Sequence, residues 1–237
     1  MADLVVTLDG PAASGKSTVA RLLAERIGAD FLDTGAMYRA VTWAALATGV
    51  DLTNADQVLE LIDRTAFGFV PRAGGMQVSV NGRDVTMLIR DPEVTAQVRH
   101  IAAAAPVRAR LVDMQRGFAR TSNRIVTEGR DQGTVVFPNA DLKVFLTADP
   151  AERARRRQAE LQARGVTTRF DEILRAVNER DRADQDREVG PLRPSEDAVI
   201  VDTTGLTIDG VVERLVGLVA RKKVGPGRLD HSGGKSP

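Results

Sequence analysis

The sequence predicts an α/β protein built on a doubly wound sheet of five parallel strands, with a small three-stranded antiparallel insertion and a helical lid. The first observation is that short apolar runs alternate with helical patterns, which is typical of strands buried on both faces of a parallel sheet. Those runs are Leu4–Leu8, Gly28–Asp33, Ile125–Thr127, Leu142–Thr147 and Ala198–Val201. A second observation is the glycine-rich loop directly after the first run, and a third is the hairpin signal Asn81-Gly82.

Composition limits the classes of function. With 237 residues, 43% of them hydrophobic, the chain is long enough to bury a sizeable core. The absence of Cys excludes disulfides, Cys-ligated zinc and thiol catalysis, and two histidines are too few for a metal cluster. A formal net charge of +1 gives no general reason to expect nucleic acid or a membrane as a partner. No apolar run approaches the ~18 residues of a membrane span and no secretory signal precedes the first strand, so we expect a soluble, cytoplasmic protein.

The stretch Gly10–Thr18 fits G-x-x-x-x-G-K-[ST], the P-loop that wraps the phosphates of a nucleoside triphosphate. Its glycines allow a tight turn that points backbone N–H groups inward, Lys16 reaches the β- and γ-phosphates, and the Ser17 hydroxyl ligates Mg²⁺. The simpler interpretation is an ordinary glycine-rich turn, but strand, loop and helix come in the order that the motif requires. The expected nucleotide contacts are Gly10, Pro11, Ala12, Ala13, Ser14, Gly15, Lys16, Ser17 and Thr18.

The second predicted strand leads into a second helix. Asp33-Thr34-Gly35 turns from that strand into a helical pattern over Ala36–Thr48. Within it, Arg39 is either an anion contact or an ordinary surface arginine, and the same alternatives hold for Arg108 later in the chain. Tyr38 is more typical of packing than of ligand contact.

Residues 66–90 interrupt the alternation of strands and helices. Three apolar runs, joined by connections rich in Gly or containing Asn-Gly, predict antiparallel hairpins. The runs are Phe67–Val70, Met76–Val80 and Val85–Ile89. Because consecutive hairpins cannot belong to a parallel sheet, we expect a three-stranded insertion here. A short helix around 56–64 precedes it, and a helix that is interrupted at Pro106 follows it over about 92–120.

The segment Glu128–Thr134 follows the third buried strand, at the edge of the sheet where doubly wound folds bind ligands. Gly129 and Gly133 leave the backbone room beside a ligand. Arg130 offers a planar fork to a second phosphate, and Asp131 could orient an attacking oxygen or hold Mg²⁺. The alternative is a glycine-rich turn whose Arg–Asp pair is solvated.

Arginine dominates the region 150–189, in a chain where only five of the 33 basic residues are Lys. On a helix, Arg180, Asp184 and Arg187 share one face. Three interpretations are open: an exposed salt-bridged helix face, a lid that brings arginines onto a transferring phosphoryl group, and an RNA-binding surface. Near-matching acidic residues and few aromatic residues disfavour RNA. A final helix over Ile208–Lys222 precedes a tail rich in Gly, Pro and Ser.

Other classes of P-loop protein are disfavoured by missing motifs. A GTPase carries N-K-x-D and an ABC-type ATPase carries L-S-G-G-Q, and neither occurs in this sequence. A D-x-x-G match at Asp202–Gly205 follows the last core strand, too late for a GTPase switch. What remains is a small kinase with two phosphate sites, with an ATP-dependent regulatory or RNA-binding module as the non-enzyme alternative.

Four stretches together resemble the bacterial cytidylate kinase family. Besides Gly10–Thr18 they are D-T-G-A-M-Y-R at Asp33–Arg39, E-G-R-D-Q-G-T-V-V-F-P at Glu128–Pro138, and the charged face at Glu179–Arg187. The match runs in order over about residues 3–222. The resemblance implies phosphorylation of CMP and dCMP by ATP through direct in-line transfer with Mg²⁺ held by Ser17. The runner-up acceptor is another nucleoside monophosphate.

The resemblance also implies roles for individual residues. Those of the transfer step would be Lys16, Arg130, Asp131, Arg153, Arg157 and Arg180. Those that bind the acceptor nucleotide would be Thr34, Tyr38, Arg39, Arg108, Arg130, Asp131, Arg180, Asp184 and Arg187. One position departs from the family, because Arg99 stands where the family usually has a small hydroxyl residue against cytosine. A missing polar partner of this kind weakens discrimination against UMP.

These assignments divide the chain into a P-loop core, an acceptor-binding insertion, an Arg-rich helical lid and a disordered tail. The expected bounds are 1–65, 106–150 and 190–222 for the core, 66–105 for the insertion, 151–189 for the lid and 223–237 for the tail. No dimerisation signature is present, so we expect a monomer with small-molecule nucleotides as its partners and neither nucleic acid nor a membrane.

Overall fold

The computed structural model describes residues 2–163 and 165–223. Its strands are β1 (Leu4–Asp9), β2 (Asp30–Asp33), β3 (Phe67–Arg72), β4 (Gly75–Val80), β5 (Arg83–Asp84), β6 (Arg124–Gly129), β7 (Leu142–Thr147) and β8 (Val199–Asp202). Its helices are α1 (Lys16–Ile27), α2 (Thr34–Thr48), α3 (Ala55–Arg64), α4 (Pro92–Ala103), α5 (Ala105–Thr121), α6 (Pro150–Ala163), α7 (Phe170–Gln185) and α8 (Ile208–Lys223). A 3₁₀ turn at Leu88–Arg90 and a π-helix at Gln132–Val136 are also present. No helix in these ranges is both long and apolar enough to cross a membrane.

Five strands form a parallel sheet in the order β2-β6-β1-β7-β8, which confirms the predicted α/β core. In this register Asp9 lies opposite Gly129, and Asp33 lies opposite Glu128. Because parallel strands end at the same edge of a sheet, the carboxyl ends of β1, β2 and β6 place three acidic residues side by side. This edge is where the sequence predicts the ligand site.

Two apolar cores cover the two faces of the sheet. Leu32 and Ile125 belong to one core, which α2, α3, α5 and the insertion complete. Their sequence neighbours Phe31 and Val126 belong to the other core, which is completed by α1 and α8. Because successive side chains of a strand point to opposite faces, this division shows that the strands are buried on both sides, as their continuous apolar runs predict.

Local signals set the ends of the helices. The Asn54 side chain caps α3 by accepting a hydrogen bond from the backbone N–H of Gln57 at 3.1 Å. The last helix, α8, continues one residue beyond its predicted end, to Lys223. The rest of the predicted disordered tail, residues 224–237, lies outside the described residues.

The antiparallel insertion is present, with strand order β3-β4-β5. β3 and β4 form the predicted hairpin, and the turn after β4 has positive φ at both Asn81 (49°) and Gly82 (79°). This is the backbone of a tight two-residue hairpin turn. The prediction of a third strand at Val85–Ile89 is wrong, because β5 comprises only the two residues Arg83–Asp84 directly after the turn.

The run after β5 leaves the sheet for a physical reason. Val85 and Ile89 are fully buried four residues apart, which is a helical spacing and not the alternation of a strand. The Thr86 hydroxyl accepts a hydrogen bond from the Val78 backbone N–H at 2.9 Å, in place of a strand-to-strand bond. The chain then forms the 3₁₀ turn, whose buried side chain joins the core against α2.

Two segments at the site have structure that the sequence patterns did not specify. The glycine-rich segment after β6 contains the π-helix Gln132–Val136. The Arg-rich region divides into α6 and α7, which share a small apolar core of their own. That core contains Ala154, Ile173 and Val177.

We expect Ile89→Ala to destabilise the protein by about 2–5 kcal/mol, because it leaves a cavity between the insertion and α2. Met87→Ala is the matched control, since Met87 lies two residues away and is 76% exposed. Its effect should stay within about 0.5 kcal/mol. Urea denaturation followed by circular dichroism measures both; equal effects of the two substitutions would contradict this packing.

Candidate active site

The P-loop curls tightly onto the carboxyl end of the sheet. Gly10 has φ +147°, and a Cβ atom there would overlap the carbonyl oxygen of Leu146 on β7. Gly15 (φ +86°) turns the chain into α1 in a conformation that other residues rarely adopt. The buried Lys16 side chain folds back, and its Nζ donates to the Pro11 carbonyl oxygen 2.6 Å away. The loop therefore holds the Lys16 ammonium group beside the position where the motif predicts a phosphate group.

The surroundings of Lys16 are unfavourable for a positive charge. Burial, with a smaller contribution from the charge of Arg130, lowers the pKa of Lys16 to about 7. An anion bound at the loop would reverse this shift by compensating the charge. Arg180 of α7 also acts on Lys16, as does Arg130 of the short connection after β6 (residues 130–131, the β6 loop), so both arginines lie within electrostatic reach of the P-loop.

Ser17, the predicted Mg²⁺ ligand, faces a carboxylate. Its exposed hydroxyl at the start of α1 donates to Glu128 Oε1 at 2.8 Å. Mg²⁺ prefers such oxygen donors and usually takes its remaining ligands from waters and substrate phosphates. This pair fits such a site, and the described residues contain no group of three or more His, Cys, Asp and Glu side chains that could hold a metal by itself.

The end of β2 joins the site to α2 and to the insertion. Asp33 caps α2 and accepts from Arg39 Nη2 at 3.1 Å, and Arg90 of the 3₁₀ turn lies 3.5 Å from the same carboxylate. The cap explains why α2 begins at Thr34, two residues earlier than predicted. The Thr34 hydroxyl donates to the Glu128 carbonyl oxygen at 2.7 Å. Two predicted acceptor residues, Thr34 and Arg39, are thereby fixed at the sheet edge.

An Arg–Asp–Arg bridge connects the β6 loop to α7. Arg130 Nε lies 2.7 Å from Asp184 Oδ2, and Arg187 Nη2 lies 2.5 Å from Asp184 Oδ1. Burial acts to raise the pKa of Asp184, but the two arginines outweigh it and hold that pKa below its ordinary value. Each guanidinium group has five N–H donors, so both keep donors for a phosphate.

A second buried pair joins α5 to the β6 loop. Arg108 forms an ion pair with Asp131, and its guanidinium lies 5.8 Å from the centroid of the Tyr38 ring, within cation–π range. Burial raises the pKa of Asp131, and Arg108 opposes this shift. Gly190 (φ +64°) packs directly on the pair, where a Cβ atom would overlap Arg108 Nη2 and Asp131 Oδ2.

Arg153 of α6 is buried against the P-loop. Its Nε donates to the Ala148 carbonyl oxygen at 3.0 Å, and its Nη1 donates to the Ala12 carbonyl oxygen at 3.2 Å. Its Nη2 lies 2.6 Å from Asp181 on α7. Arg153 thus ties α6 and α7 to the P-loop.

The other two arginines predicted to act from the lid have different surroundings. Arg157 pairs with Glu160 of its own helix at 2.9 Å. The Arg180 residue is exposed. Its pKa is lowered, mainly by partial desolvation and to a smaller extent by the positive charges of Arg130, Arg39 and Arg157. A guanidinium group whose pKa is lowered by burial and by other guanidinium groups is typical of a site that takes an anion.

The structure brings most of the predicted residues to one edge of the sheet. Around the P-loop these are Thr34, Tyr38, Arg39, Arg108, Arg130, Asp131, Arg180, Asp184 and Arg187. Arg153 lies under the loop and Arg157 is engaged with Glu160. Sequence reasoning assigned no individual role to Asp9, Asp33, Glu128 or Gly190. The three acids share a signal that could have found them, since each lies at or next to the carboxyl end of a buried strand.

The parallel sheet, the P-loop and the arginines gathered beside it define the chain as a kinase of the P-loop class. The family model for cytidylate kinase matches residues 6–221, and the chain belongs to that family. It is 46% identical over 217 residues to a cytidylate kinase of Carboxydothermus hydrogenoformans, covering 92% of this chain and 97% of the relative. It is 44% identical over 220 residues to one of an Exiguobacterium species, covering 93% and 98%. Cytidylate kinase 1 of Haemophilus influenzae is 41% identical over 218 residues, covering 92% and 94%.

We expect Lys16→Met to lower kcat by at least about 10²-fold, because a charge at the transferring phosphoryl group is lost.

The same change should raise the melting temperature of the protein alone by a few degrees near pH 6. The folded-state pKa of Lys16, about 7, lies below the unfolded value of 10.5, so the cost of burying its charge is full below pH 7 and disappears as the pH rises towards 10.5. Steady-state kinetics and calorimetry at pH 6 and pH 9 check this; an equal gain in melting temperature at both pH values would contradict it.

We expect Gly190→Ala to raise the KM for the acceptor nucleotide about tenfold, because the new methyl group displaces the buried Arg108–Asp131 pair. Gly28→Ala is the matched control: Gly28 has the same φ of +64°, but nothing lies within 4 Å of a Cβ there. Both variants should lose about 1 kcal/mol of stability from the left-handed backbone. Initial-rate kinetics and melting curves compare them, and a similar KM in both would remove the pair from acceptor binding.

Proposed function

We propose that this protein transfers the γ-phosphoryl group of ATP to CMP or dCMP, forming CDP or dCDP and ADP. The observation that carries the proposal is that two cationic groups, Lys16 and Arg130, follow neighbouring strands whose ends are paired, Asp9 opposite Gly129. The Ser17 hydroxyl, next to Lys16, lies 2.8 Å from Glu128 Oε1 on the second of these strands. Transfer between two nucleotides needs such an arrangement, because negative charge spreads over the equatorial oxygens of the moving group. Membership of the cytidylate kinase family and the names of the relatives support CMP as the acceptor.

On the donor side, the backbone amides of Gly10–Thr18 and the Lys16 ammonium would hold the phosphates of ATP. Ser17, with Glu128 beside it, would hold Mg²⁺, which neutralises phosphate charge when bound. Arg153, bonded to the Ala12 carbonyl oxygen, links the lid to this loop. Arg157 would have to leave Glu160 in order to reach the nucleotide.

On the acceptor side, Arg130 and Arg180 would neutralise the moving phosphoryl group, while Asp184 holds Arg130 and Arg187 in place. Thr34 and Arg39 would contact the phosphate and sugar of the acceptor. The buried Arg108–Asp131 pair, with Tyr38 against it, would lie at the base. Catalysis by position and charge needs neither a covalent intermediate nor a general base in this scheme.

Selectivity for cytosine is where this chain departs from its family. Arg99 is exposed on α4, and its Nε donates to the His100 ring at 3.3 Å, so it provides no short hydroxyl contact. Discrimination between CMP and UMP then depends on the Arg108–Asp131 pair. We therefore expect measurable turnover of UMP at a lower kcat/KM than that of CMP.

An ADP-release assay with CMP, dCMP, UMP, AMP and GMP tests the proposal. CMP and dCMP should give the highest kcat/KM, with detectable turnover of UMP and little of the purine nucleotides. Absence of turnover with all five acceptors would overturn the kinase proposal, and preference for a purine would overturn the assigned acceptor.

We also expect a cytoplasmic monomer that needs no nucleic acid or membrane, and light scattering on the same preparation tests the oligomeric state.

A further inference from the structure

Asp9 is a buried acid that the phosphoryl transfer proposed above does not use. It is the last residue of β1 and is 4% exposed. Its Oδ1 accepts from the backbone N–H of Gln132 at 2.9 Å, and its Oδ2 accepts from the backbone N–H of Gly133 at 2.8 Å. Within the described chain, its hydrogen-bond partners are these two amides and not a cationic side chain.

The backbone of Asp9 is fixed on every side. β1 is the central strand, so Asp9 lies between Gly129 of β6 and Phe145 of β7 in the sheet register. The next residue is Gly10, the glycine that fits against the Leu146 carbonyl oxygen and begins the P-loop. A group hydrogen-bonded to the Asp9 carboxylate is therefore held at a fixed distance from the donor phosphate site.

The other end of these hydrogen bonds carries the acceptor-side groups. Gln132 and Gly133 begin the π-helix, and Arg130 and Asp131 directly precede them. The Gln132 side chain is also held from α5, since its Nε2 donates to Gln115 Oε1 at 3.1 Å. The position of Arg130 and Asp131 is thus set through the start of this helix.

We infer that Asp9 is a positioning residue, which holds Arg130 and Asp131 at a set distance from the P-loop. The inference rests on the proposed function, because those two side chains matter as acceptor-side groups of that reaction. A carboxylate suits this task better than an amide, since it accepts at both oxygens and the segment presents two N–H donors. A displacement of about 1 Å between reacting groups can cost about 10² in rate, so the two hydrogen bonds have a large effect on turnover.

The electrostatics of Asp9 agree with a functional role and not with a stabilising one. Burial raises its pKa to about 7, and Asp131 also raises it, whereas Lys16 and the two amides lower it. Because the folded-state pKa exceeds the unfolded value of 3.8, the charged group costs folding free energy that is full above pH 7 and vanishes below pH 3.8. Functional sites commonly retain groups that cost stability.

The test substitution is Asp9→Asn, which keeps the shape but turns an NH₂ group against one of the two N–H donors. We expect kcat with CMP to fall at least tenfold while the KM for ATP changes less than threefold. Hydrogen exchange of the Gln132 and Gly133 amides should accelerate at least tenfold, with the other amides of β1 and β6 unchanged. Thr7→Val is the matched control, because Thr7 is fully buried on the same strand and its hydroxyl has no hydrogen-bond partner among the described residues.

A purely structural role predicts a different result, namely a lower melting temperature and faster exchange throughout the sheet. Wild-type kcat in Asp9→Asn, or unchanged exchange at Gln132 and Gly133, would overturn the inference. If the variant does not fold, exchange in the wild-type protein decides: amides of Gln132 and Gly133 as fast as those of exposed turns overturn it. Failure of the wild-type protein to phosphorylate any acceptor would instead overturn the proposed function, and the exchange data would still show whether Asp9 holds the loop.

Discussion

The parallel pairing of β1 with its neighbours β6 and β7 is the constraint on which the rest of the molecule depends. It places Asp9 opposite Gly129. It also directs the chain after β1 into a turn at Gly10, where any Cβ atom would overlap the Leu146 carbonyl oxygen. The P-loop and the β6 loop consequently leave the sheet beside each other. The Asp9 carboxylate then accepts hydrogen bonds from the backbone N–H groups of Gln132 and Gly133, which lie 123 and 124 residues away in the sequence. The P-loop and the segment after β6 are in this way held together at one edge of the sheet.

Charge at this edge is arranged for ligand binding more than for stability. Burial lowers the pKa of Lys16 and raises that of Asp9, both to about 7. Each charged group therefore reduces the free energy of unfolding. The buried pairs Arg108–Asp131 and Arg130–Asp184 are partly compensated, but pairs of this kind add little net stability because both groups lose hydration. What they provide is orientation, since each carboxylate fixes the position of a guanidinium group.

The insertion and the lid are attached to the core by different interactions. Val78 and Ile89 of the insertion are buried in the same apolar cluster as α2, so the insertion is part of one continuous core. The lid helices have their own small cluster and reach the P-loop and the β6 loop through Arg153 and Asp184. Phosphate oxygens compete for ionic contacts far more readily than for apolar packing. The predicted role of α6 and α7 as a lid fits this difference in attachment.

The sequence by itself determined those features whose information is local. Strand and helix alternation, the P-loop and the Asn81-Gly82 hairpin each depend on residues that are neighbours along the chain, and the fold confirms them. The run Val85–Ile89 was predicted wrongly because its apolar content is compatible with a strand, and its burial against α2 decided otherwise. The π-helix was likewise not predicted, since the groups that hold its first residues come from β1 and α5.

Only the tertiary structure decided which partner each charged residue of the site has. Arg130 meets Asp184 across 54 residues of sequence, and Arg108 meets Asp131 across 23. The sequence indicated that arginines would gather at the carboxyl ends of the strands, because parallel strands end at the same edge. It did not indicate their pairing, because that depends on strand order and on the packing of α5 and α7, which follow from the assembled core and not from any local pattern.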